Sequence, residues 1–507
     1  MARNQLENPV ILYDSPPSPC ARRVRMSLIE KGIPFETRLI DLTAGDQKKP
    51  EFLAINPHGK VPALIHGDRV LYESNVITEY LDEAFDTLPL YPGDPAEYFA
   101  VKAWQDYERV FAQTYFQLMY ATLFGPMARA TKTKEEYDRE TANSSDDPAF
   151  HAYRASVWAG TVLSAAQIDE HKARLTEVLD RLETALEGRD WLVGTGFSQA
   201  EISIYPRLVM FPWLGVEIPR QRYPNLTGWI ARLADRPSFV KTESGLGKAM
   251  QKPLVRAQMR WLKSYFDTPP AKRGPVMNLR FRLMQRVLKA KTADTASEEA
   301  AIRAVEAELA HNAIEERAIC PPAPGGTGPL TLTGPAQSPA LAALHGAARA
   351  AGLAHSIVPG QTPGAATATV QVSGLAEALI LIDRQSGGAL MPRTPFGRAQ
   401  VRLWLERDCE GETKYLGALR TDGASPAERQ AALNWLGKRW RRLGAELGGQ
   451  DFILGDLSLA DFALWAQLDE DLDRGLELGG LPEAVRAWRS RMAAQIGQDP
   501  GAAQNQS

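Results

Sequence analysis

The first ninety residues alternate short apolar runs with polar loops, a pattern typical of a small sheet interrupted by helices. An apolar run at 10–12 predicts a strand, which leads into a loop rich in Pro and Ser. The prolines of that loop end the strand and preset the backbone for a helix that opens near Pro19. Ser18 and Cys20 therefore fall where free helix N–H groups and the positive dipole end collect, a place for a thiolate or another small anion. The plainer interpretation of Ser18 is a helix N-cap.

A second patterned stretch covers residues 56–83. An Asn-Pro turn precedes Val61–Pro62, a hairpin of two short strands follows, and another helix opens at Ser74 with Glu73 just outside it. An X-Pro bond at this point is a candidate for a cis peptide, which leaves the Val61 backbone free to pair with an extended ligand. Strand, loop and helix, strand, X-Pro, hairpin and helix is the order of a thioredoxin-like half-domain.

Three motifs together, SPCARRVR at 18–25, NPHGKVPAL at 56–64 and the Glu73–Ser74 pair, resemble the glutathione S-transferase family. The resemblance covers residues 8–92 closely and the helical region to about 245 more loosely. The first motif is most similar to the zeta and omega-type branch, in which Ser or Cys opens the first helix. The fold implied is α/β plus all-α, a thioredoxin-like βαβαββα domain at 8–92 followed by a helical domain at 96–247.

The resemblance implies a glutathione site. Glutathione, as co-substrate, would lie along Val61 and Pro62, with its γ-glutamyl end held by Glu73 and Ser74 and its glycine carboxylate near Lys60 and His58. The Ser18 hydroxyl would favour the glutathione thiolate, which is the nucleophile. Cys20 falls on the second thiol-bearing position of the zeta-type motif. It either takes up glutathione as a mixed disulfide or is a buried, inert thiol.

Aromatic residues recur along the helical pattern at 100–123. In the family the inner face of this helix borders the cleft beside glutathione, so Tyr107, Phe111 and Tyr115 are expected either in the wall for an apolar electrophile or in the core. Further on, Ser198 and Glu201 form a capping box with a structural role.

The charge pattern shifts between Lys248 and Lys291, where twelve basic residues stand against a single Asp267. A nucleic acid or an anionic membrane can use such a segment. We favour a bridging helix laid against acidic surface of the same molecule, within a basic and helical linker at 248–328.

The C-terminal half repeats the N-terminal half. At a constant offset of 320 positions Ser18 falls on Ser338 and Gly32 on Gly352, and further on Trp104 matches Trp404. We therefore predict a degenerate thioredoxin-like domain at 329–390 and a second helical domain at 395–497.

The second copy lacks the residues that carry the chemistry in the first. Cys20 is replaced by Ala340, and Glu73 is expected to match Val372, ahead of Ser373. We predict a structural half, and a monomeric chain folded as a pseudo-dimer, with a homodimer as the alternative.

Composition narrows the class of protein. The net charge of −3 indicates no polyanion binding by the chain as a whole, and the three cysteines, at unrelated spacings, favour a reducing compartment. The histidines form no metal-ligand motif, and neither a signal core nor a membrane span is evident, so we expect a cytoplasmic protein without a metal.

The leading hypothesis is a glutathione-dependent transferase or lyase, with detoxification as the implied role. It acts on an apolar electrophile by conjugation, ether or halide cleavage, or isomerisation. The alternative is a non-catalytic transferase-fold scaffold that binds a protein partner.

Overall fold

The computed structural model describes residues 8–42, 44–144, 148–250, 252–291, 295–320, 323–406, 425–473, 475–477 and 480–497. The chain forms two compact units. The first contains Met1–Tyr91 and Ala100–Glu316, and the second contains Pro92–Phe99 and Arg317–Ser507.

The first unit begins with a four-stranded sheet whose strands lie in the order β2-β1-β3-β4. Its strands are β1 (Val10–Asp14), β2 (Glu36–Leu39), β3 (Ala63–His66) and β4 (Arg69–Tyr72). β1 pairs with β2 in parallel and with β3 antiparallel, and β3 pairs with β4 antiparallel. Three helices complete the domain: α1 (Pro19–Glu30), α2 (Pro50–Leu53) and α3 (Ser74–Ala84). This is the predicted thioredoxin-like arrangement.

A helical region follows, and it belongs to the first unit from Ala100 onward. Its helices are α4 (Pro95–Met119), α5 (Gly125–Thr131), α6 (Lys134–Ser144), α7 (Pro148–Ala159), α8 (Ala165–Ala185), α9 (Gln199–Leu208), α10 (Pro224–Ala234), α11 (Pro237–Lys241), α12 (Gly245–Met250), α13 (Pro253–Asp267), α14 (Pro275–Lys291) and α15 (Thr295–Leu309). Helix α1 packs against α3, α9 and α11, so the residues that open α1 meet both the sheet domain and the helical region.

Helix α9 is anchored by the predicted capping box. The Glu201 carboxylate accepts hydrogen bonds from the backbone N–H of Ser198 at 3.0 Å and of Leu192 at 2.7 Å, and the Ser198 hydroxyl accepts one from the Ala200 N–H at 3.2 Å. All ten residues of α9 are buried. The box therefore has the structural role that the sequence predicted.

The segment expected to be a linker is packed onto the first unit as far as Glu316. The Glu306 carboxylate in α15 accepts a hydrogen bond at 2.6 Å from the backbone N–H of Thr37 on the edge strand β2. Asn312 donates to the Gly32 carbonyl at 2.7 Å, and Glu316 accepts from the Asn8 side chain at 3.0 Å. The end of α12 and helices α13 to α15 lie in this segment, and residues 248–316 belong to the first compact unit, where α15 covers part of the open edge of the sheet.

The second unit repeats the sheet domain. Its strands β5 (Leu330–Gly334), β6 (His355–Pro359), β7 (Gly364–Ala366) and β8 (Gln371–Ser373) lie in the order β6-β5-β7-β8. Its helices are α16 (Pro339–Ala350), α17 (Leu375–Gln385), α18 (Pro395–Glu406), α19 (Pro426–Leu447), α20 (Leu459–Asp473) and α21 (Glu483–Ile496).

The offset of 320 positions is confirmed at the first helix of each copy. Helices α1 and α16 both have 12 residues and begin with a proline, and each is capped by a serine, Ser18 or Ser338. The second capping pair is also present, since Asp461 accepts a hydrogen bond from the Ser458 N–H at 3.0 Å. Cys409, one of the three cysteines of the chain, lies outside the described residues.

The expected counterpart of Glu73 is wrong by two positions. Ala63 pairs with Tyr72 across the first hairpin and Gly364 pairs with Ser373 across the second, so Glu73 corresponds to Gly374. Val372 lies inside strand β8. The two hairpins have the same span, because the paired residues are nine positions apart in each. The second copy is shorter before its hairpin: four residues separate β6 from β7, whereas 23 residues, including α2, separate β2 from β3.

The same register shows which residues the second copy has lost. Gly374 is the N-cap of α17, and Leu375 takes the place of Ser74. The second unit therefore lacks counterparts of both residues that were predicted to hold the γ-glutamyl end, Glu73 and Ser74.

Candidate active site

Strand register brings three predicted site segments to the same end of the first sheet. The C-terminal end of β1 pairs antiparallel with the start of β3, at Tyr13 and Ala63, and Ala63 pairs in turn with Tyr72 at the end of β4. The loop to Ser18, the Val61–Pro62 peptide and the Glu73–Ser74 pair continue from these three positions. They must therefore lie at the same end of the sheet, although together they span more than 50 residues of the sequence.

Ser18 is the N-cap of α1. Its hydroxyl oxygen accepts a hydrogen bond from the Ala21 N–H at 3.3 Å, and its side chain is partly exposed. The Ser18 oxygen accepts the capping hydrogen bond, and the hydroxyl hydrogen remains able to donate to a ligand. Structural and chemical roles for Ser18 are thus compatible.

The Val61–Pro62 peptide bond is cis, as the sequence suggested. Within the part of the chain that the structure describes, neither the N–H nor the C=O of Val61 has a hydrogen-bond partner. A half-buried backbone amide with both groups available is a docking point for an extended peptide backbone.

Basic side chains gather beside this peptide. Lys60 is exposed, and the His58 ring lies against Tyr72 with 5.5 Å between ring centroids. Lys48 donates to the His58 carbonyl at 3.5 Å, and burial, with Lys60 nearby, lowers the pKa of Lys48. Lys48 was not identified from the sequence, because it precedes the motif and only the fold brings it there.

The Glu73–Ser74 pair opens α3 with an unusual backbone. Glu73 has a φ of 65°, in the left-handed region that favours glycine, and its side chain is exposed. Ser74 is buried, and its hydroxyl accepts a hydrogen bond from Arg23 at 3.0 Å. A strained glutamate beside a helix N-terminus is a typical feature of a ligand site.

The three arginines of the SPCARRVR motif are buried and paired. Arg22 forms an ion pair with Glu243 at 2.7 Å, and Arg25 forms one with Asp14. Both also bind the Thr242 region of the helical domain. These two arginines join the sheet domain to the helical region and do not face the candidate site.

The third arginine belongs to a buried chain of charges that reaches Cys20. Arg23 forms an ion pair with Glu108 of α4 at 2.6 Å, and the other oxygen of Glu108 pairs with Arg207 of α9. Arg207 in turn donates a hydrogen bond to the Cys20 sulfur at 3.2 Å. Ser74, Arg23, Glu108, Arg207 and Cys20 therefore form a continuous polar path from the start of α3 to the start of α1.

This path makes Cys20 acidic. Burial alone raises the pKa of the thiol, but the positive charges of Arg207 and Arg23 and the hydrogen bond from Arg207 outweigh burial and the opposing charge of Glu73. The pKa of Cys20 is therefore below that of an ordinary thiol. The side chain is only half-buried, so a low pKa and access coincide, as in reactive cysteines.

The three aromatic residues predicted for the substrate wall have different environments. Tyr115 is buried, its hydroxyl donates to the Met210 sulfur at 2.9 Å, and burial near Cys20 raises its pKa. Phe111 is buried against Phe211, with 5.9 Å between centroids. Tyr107 is half-buried, and the guanidinium of Arg181 on α8 lies 3.9 Å from its ring centroid. Their role in a wall stays a prediction.

Besides Lys48, sequence reasoning missed three further members of the site. Glu108 and Arg207 lie on helices that were interpreted as aromatic core and structural cap, and the link between them is visible only once α1, α4 and α9 pack together. Phe116 is 39% exposed and lies 5.2 Å from the Arg207 guanidinium, so its exposed ring is the better candidate for an apolar wall.

Two further predictions concern metals and membranes. No group of ligating side chains that could hold a metal ion occurs among the described residues. Over the same part of the chain, none of the helices combines the length and the apolar character needed to cross a bilayer.

Comparison with known proteins agrees with the fold and the motifs. Residues 17–84 match the family model for the N-terminal domain of glutathione S-transferase, and residues 149–237 match the model for the C-terminal domain. Glutathione S-transferase 3 of Zea mays is 30% identical over 248 residues, which are 47% of this chain and 95% of the maize protein.

A bacterial relative matches over the same extent. Protein LigF of Sphingobium sp. is 30% identical over 237 residues, 45% of this chain and 90% of LigF. The crystal structure of the β-etherase LigF aligns over 46% of this chain and 98% of its own, at 28% identity and a TM-score of 0.42. From the sheet order, the two matched domains and a relative covered almost completely, the chain belongs to the glutathione S-transferase family of enzymes.

Proposed function

We propose that the first unit activates the thiol of glutathione and directs it at an apolar, electrophilic small molecule. The observation that carries the proposal is the Val61 backbone, whose N–H and C=O can both pair with a ligand. It lies at the same end of the sheet as the N-termini of α1 and α3. One helix end suits the developing thiolate, and the other suits the α-carboxylate of the γ-glutamyl group, whose ammonium group Glu73 can hold.

Named side chains of the first unit have distinct parts in this proposal. Lys60, Lys48 and His58 hold the glycine carboxylate of glutathione, and Ser74 holds the γ-glutamyl end with its orientation fixed by Arg23. Ser18 donates its O–H to the thiolate sulfur. The thiolate forms a carbon–sulfur bond while the bond to the leaving group breaks, and that group departs with the electron pair. An alkoxide or aryloxide then takes a proton from water, whereas a halide is released as the free anion.

Ether cleavage is the reaction to test first, because LigF, one of the relatives, is a β-etherase. The purified chain is incubated with glutathione and an α-aryloxy ketone, and mass spectrometry follows the products. We expect one phenol released for each thioether formed. A model aryl halide, tested in parallel, shows whether the site takes other leaving groups.

The activity proposal fails if glutathione binds and none of these electrophiles yields a thioether. In that case the non-catalytic scaffold, our alternative from the sequence, becomes the better description.

We also propose that one chain carries one glutathione site and acts as a monomer in which the second unit substitutes for a second subunit. Support comes from the repeat itself, and from the replacement of Cys20 by Ala340, Glu73 by Gly374 and Ser74 by Leu375. A second unit that supplies only a folded core and a surface for the first unit needs no catalytic or glutathione-binding residues. Residence in the cytoplasm stays a prediction from the cysteine content.

A further inference from the structure

Helix α14 has two apolar sides, one packed against α13 and the other exposed to solvent. Val276, Leu279 and Leu283 are 82%, 60% and 55% exposed. Their spacing of three and four residues places them on one side of the helix. We call this stripe the outer face of α14.

The opposite side of α14 already supplies the packing that holds the helix in place. Phe281 stacks on Tyr265 of α13 with 4.3 Å between ring centroids, and the Tyr265 hydroxyl donates to Asn278 at 2.9 Å. The outer face is therefore not needed to attach α14 to the protein. Three large apolar side chains in one exposed stripe indicate an interaction surface.

Arginines flank the outer face on both sides. At about 100° per residue, Arg280 lies on one side of the stripe, and Arg282 and Arg286 lie on the other. All three are exposed. No acidic side chain in the described part of the chain pairs with Arg282 or Arg286, and Arg280 lies over the Trp261 ring at 4.3 Å.

This arrangement departs from the sequence expectation that the basic segment lies against acidic surface of the same molecule. Among the described residues, Arg260 pairs with Glu217 outside the segment, at 3.0 Å, and Lys263 pairs with Asp267 within it. The arginines of α14 keep their charge available to a partner.

We propose that the outer face of α14 binds a lipid bilayer that carries anionic headgroups. An apolar stripe between rows of arginine is the pattern of a helix that lies in the membrane interface, with its apolar side chains among the acyl chains and its cations at the headgroups. A second copy of the chain is a poor occupant, since two such faces repel each other. A nucleic acid would use the arginines but gives no reason for three exposed apolar side chains.

The test is flotation of the full chain with vesicles. Vesicles of phosphatidylcholine and phosphatidylglycerol in equal parts are compared with vesicles of phosphatidylcholine alone, at low and high salt. We expect binding to the anionic vesicles, and its loss at high salt because the ions screen the headgroup charge. The double variant Arg282→Gln/Arg286→Gln should bind about 30-fold more weakly, the effect of two cations near an anionic surface.

The apolar stripe is tested separately. Leu279→Gln/Leu283→Gln should weaken binding about tenfold or more, because the lost side chains no longer enter the acyl region. Leu88→Gln is the matched control, since Leu88 is 60% exposed like Leu279 but lies elsewhere, and it should bind as the parent does. Arg222→Gln/Arg303→Gln controls for a change of net charge alone.

Four outcomes overturn the proposal. They are an absence of vesicle binding, equal binding to neutral vesicles, binding that survives both α14 double variants, and a doubling of mass in light scattering that the leucine variants abolish. The last would make a second copy the occupant. Circular dichroism of each variant confirms that it is folded, so that a loss of binding is attributable to the surface.

Discussion

Glu73 combines strain with chemistry in a single residue. Its φ of 65° is costly for a residue with a Cβ, and the second unit places Gly374, at a φ of 110°, in the equivalent position. Strain that persists where glycine is the easier choice indicates that the carboxylate has a use.

The first prediction follows from this comparison. Glu73→Gly should raise the free energy of unfolding by on the order of 1 kcal/mol, because the left-handed backbone is relaxed. The same variant should weaken glutathione binding. Glu73→Gln is the control, which keeps the strain and should raise KM more than it lowers kcat. Chemical denaturation and steady-state kinetics measure the two effects, and a stable Glu73→Gly variant that binds glutathione normally would contradict the role.

Cys20 is the other residue whose setting decides its chemistry. Because the cations of Arg207 and Arg23 lower its pKa, Cys20 should be a thiolate at a pH where an ordinary thiol is protonated. The rate of alkylation by iodoacetamide should therefore reach half its maximum at a pH below that of free cysteine.

Arg207 is the positioning residue in this second prediction. In a Cys320→Ser/Cys409→Ser background, Arg207→Met should move the midpoint of alkylation to higher pH, since removal of a cation disfavours the thiolate. Arg207→Lys keeps the charge and should restore part of the shift. A midpoint unchanged in Arg207→Met, in a folded protein, would show that the buried charges do not set the reactivity of Cys20.

At the scale of elements, α1 and α16 form a natural comparison. Both are 12-residue helices that begin with proline and are capped by a serine hydroxyl, at 3.3 Å in α1 and 3.2 Å in α16. The two caps should contribute equally to stability, but only Ser18 lies at an end of its sheet that also carries the Glu73–Ser74 pair.

The third prediction uses this pair. Ser18→Ala and Ser338→Ala should each lower the free energy of unfolding by about 1 kcal/mol, the usual contribution of such a cap. Ser18→Ala should also lower kcat about 100-fold or more, as the loss of one donor to a developing thiolate does. Ser338→Ala should leave kcat unchanged. Equal turnover in the two variants would reduce Ser18 to a structural cap.

Elements were more predictable from the sequence than the charged groups that connect them. Proline and serine at Pro19 and Ser18 fix the start of α1 locally, so the helix could be read from a few residues. The path from Arg23 through Glu108 to Arg207 could not, because its members come from three helices and meet only after packing. The correspondence of Glu73 with Gly374 could be assigned only from strand register, because the second copy lacks most of the segment that precedes the first hairpin and the offset of 320 positions does not extend that far.

At the scale of the whole molecule, two transferase-like units share one chain. The second unit has the structural features of the first but lacks several of its candidate site residues. The second unit keeps the sheet order, the serine cap of its first helix and the capping pair Ser458–Asp461. It has lost the residues equivalent to Cys20, Glu73 and Ser74. We therefore expect the second unit to contribute a folded surface and no second reaction.

The fourth prediction concerns assembly. If the second unit takes the role of a second subunit, as we propose, static light scattering on the purified chain should give the mass of a single polypeptide, 55.8 kDa. A stable mass of twice that value at micromolar concentration would contradict the monomer, while leaving the site in the first unit untouched.

The central claim is that each chain has one competent glutathione site, in the first unit. Titration calorimetry of the full chain with glutathione tests it most directly, with Glu73→Gln and Gly374→Ala as paired variants of equivalent positions. We predict one molecule bound per chain, affinity reduced in Glu73→Gln, and no change in Gly374→Ala. Two equal sites per chain, or binding that Glu73→Gln leaves unaltered, would contradict the account.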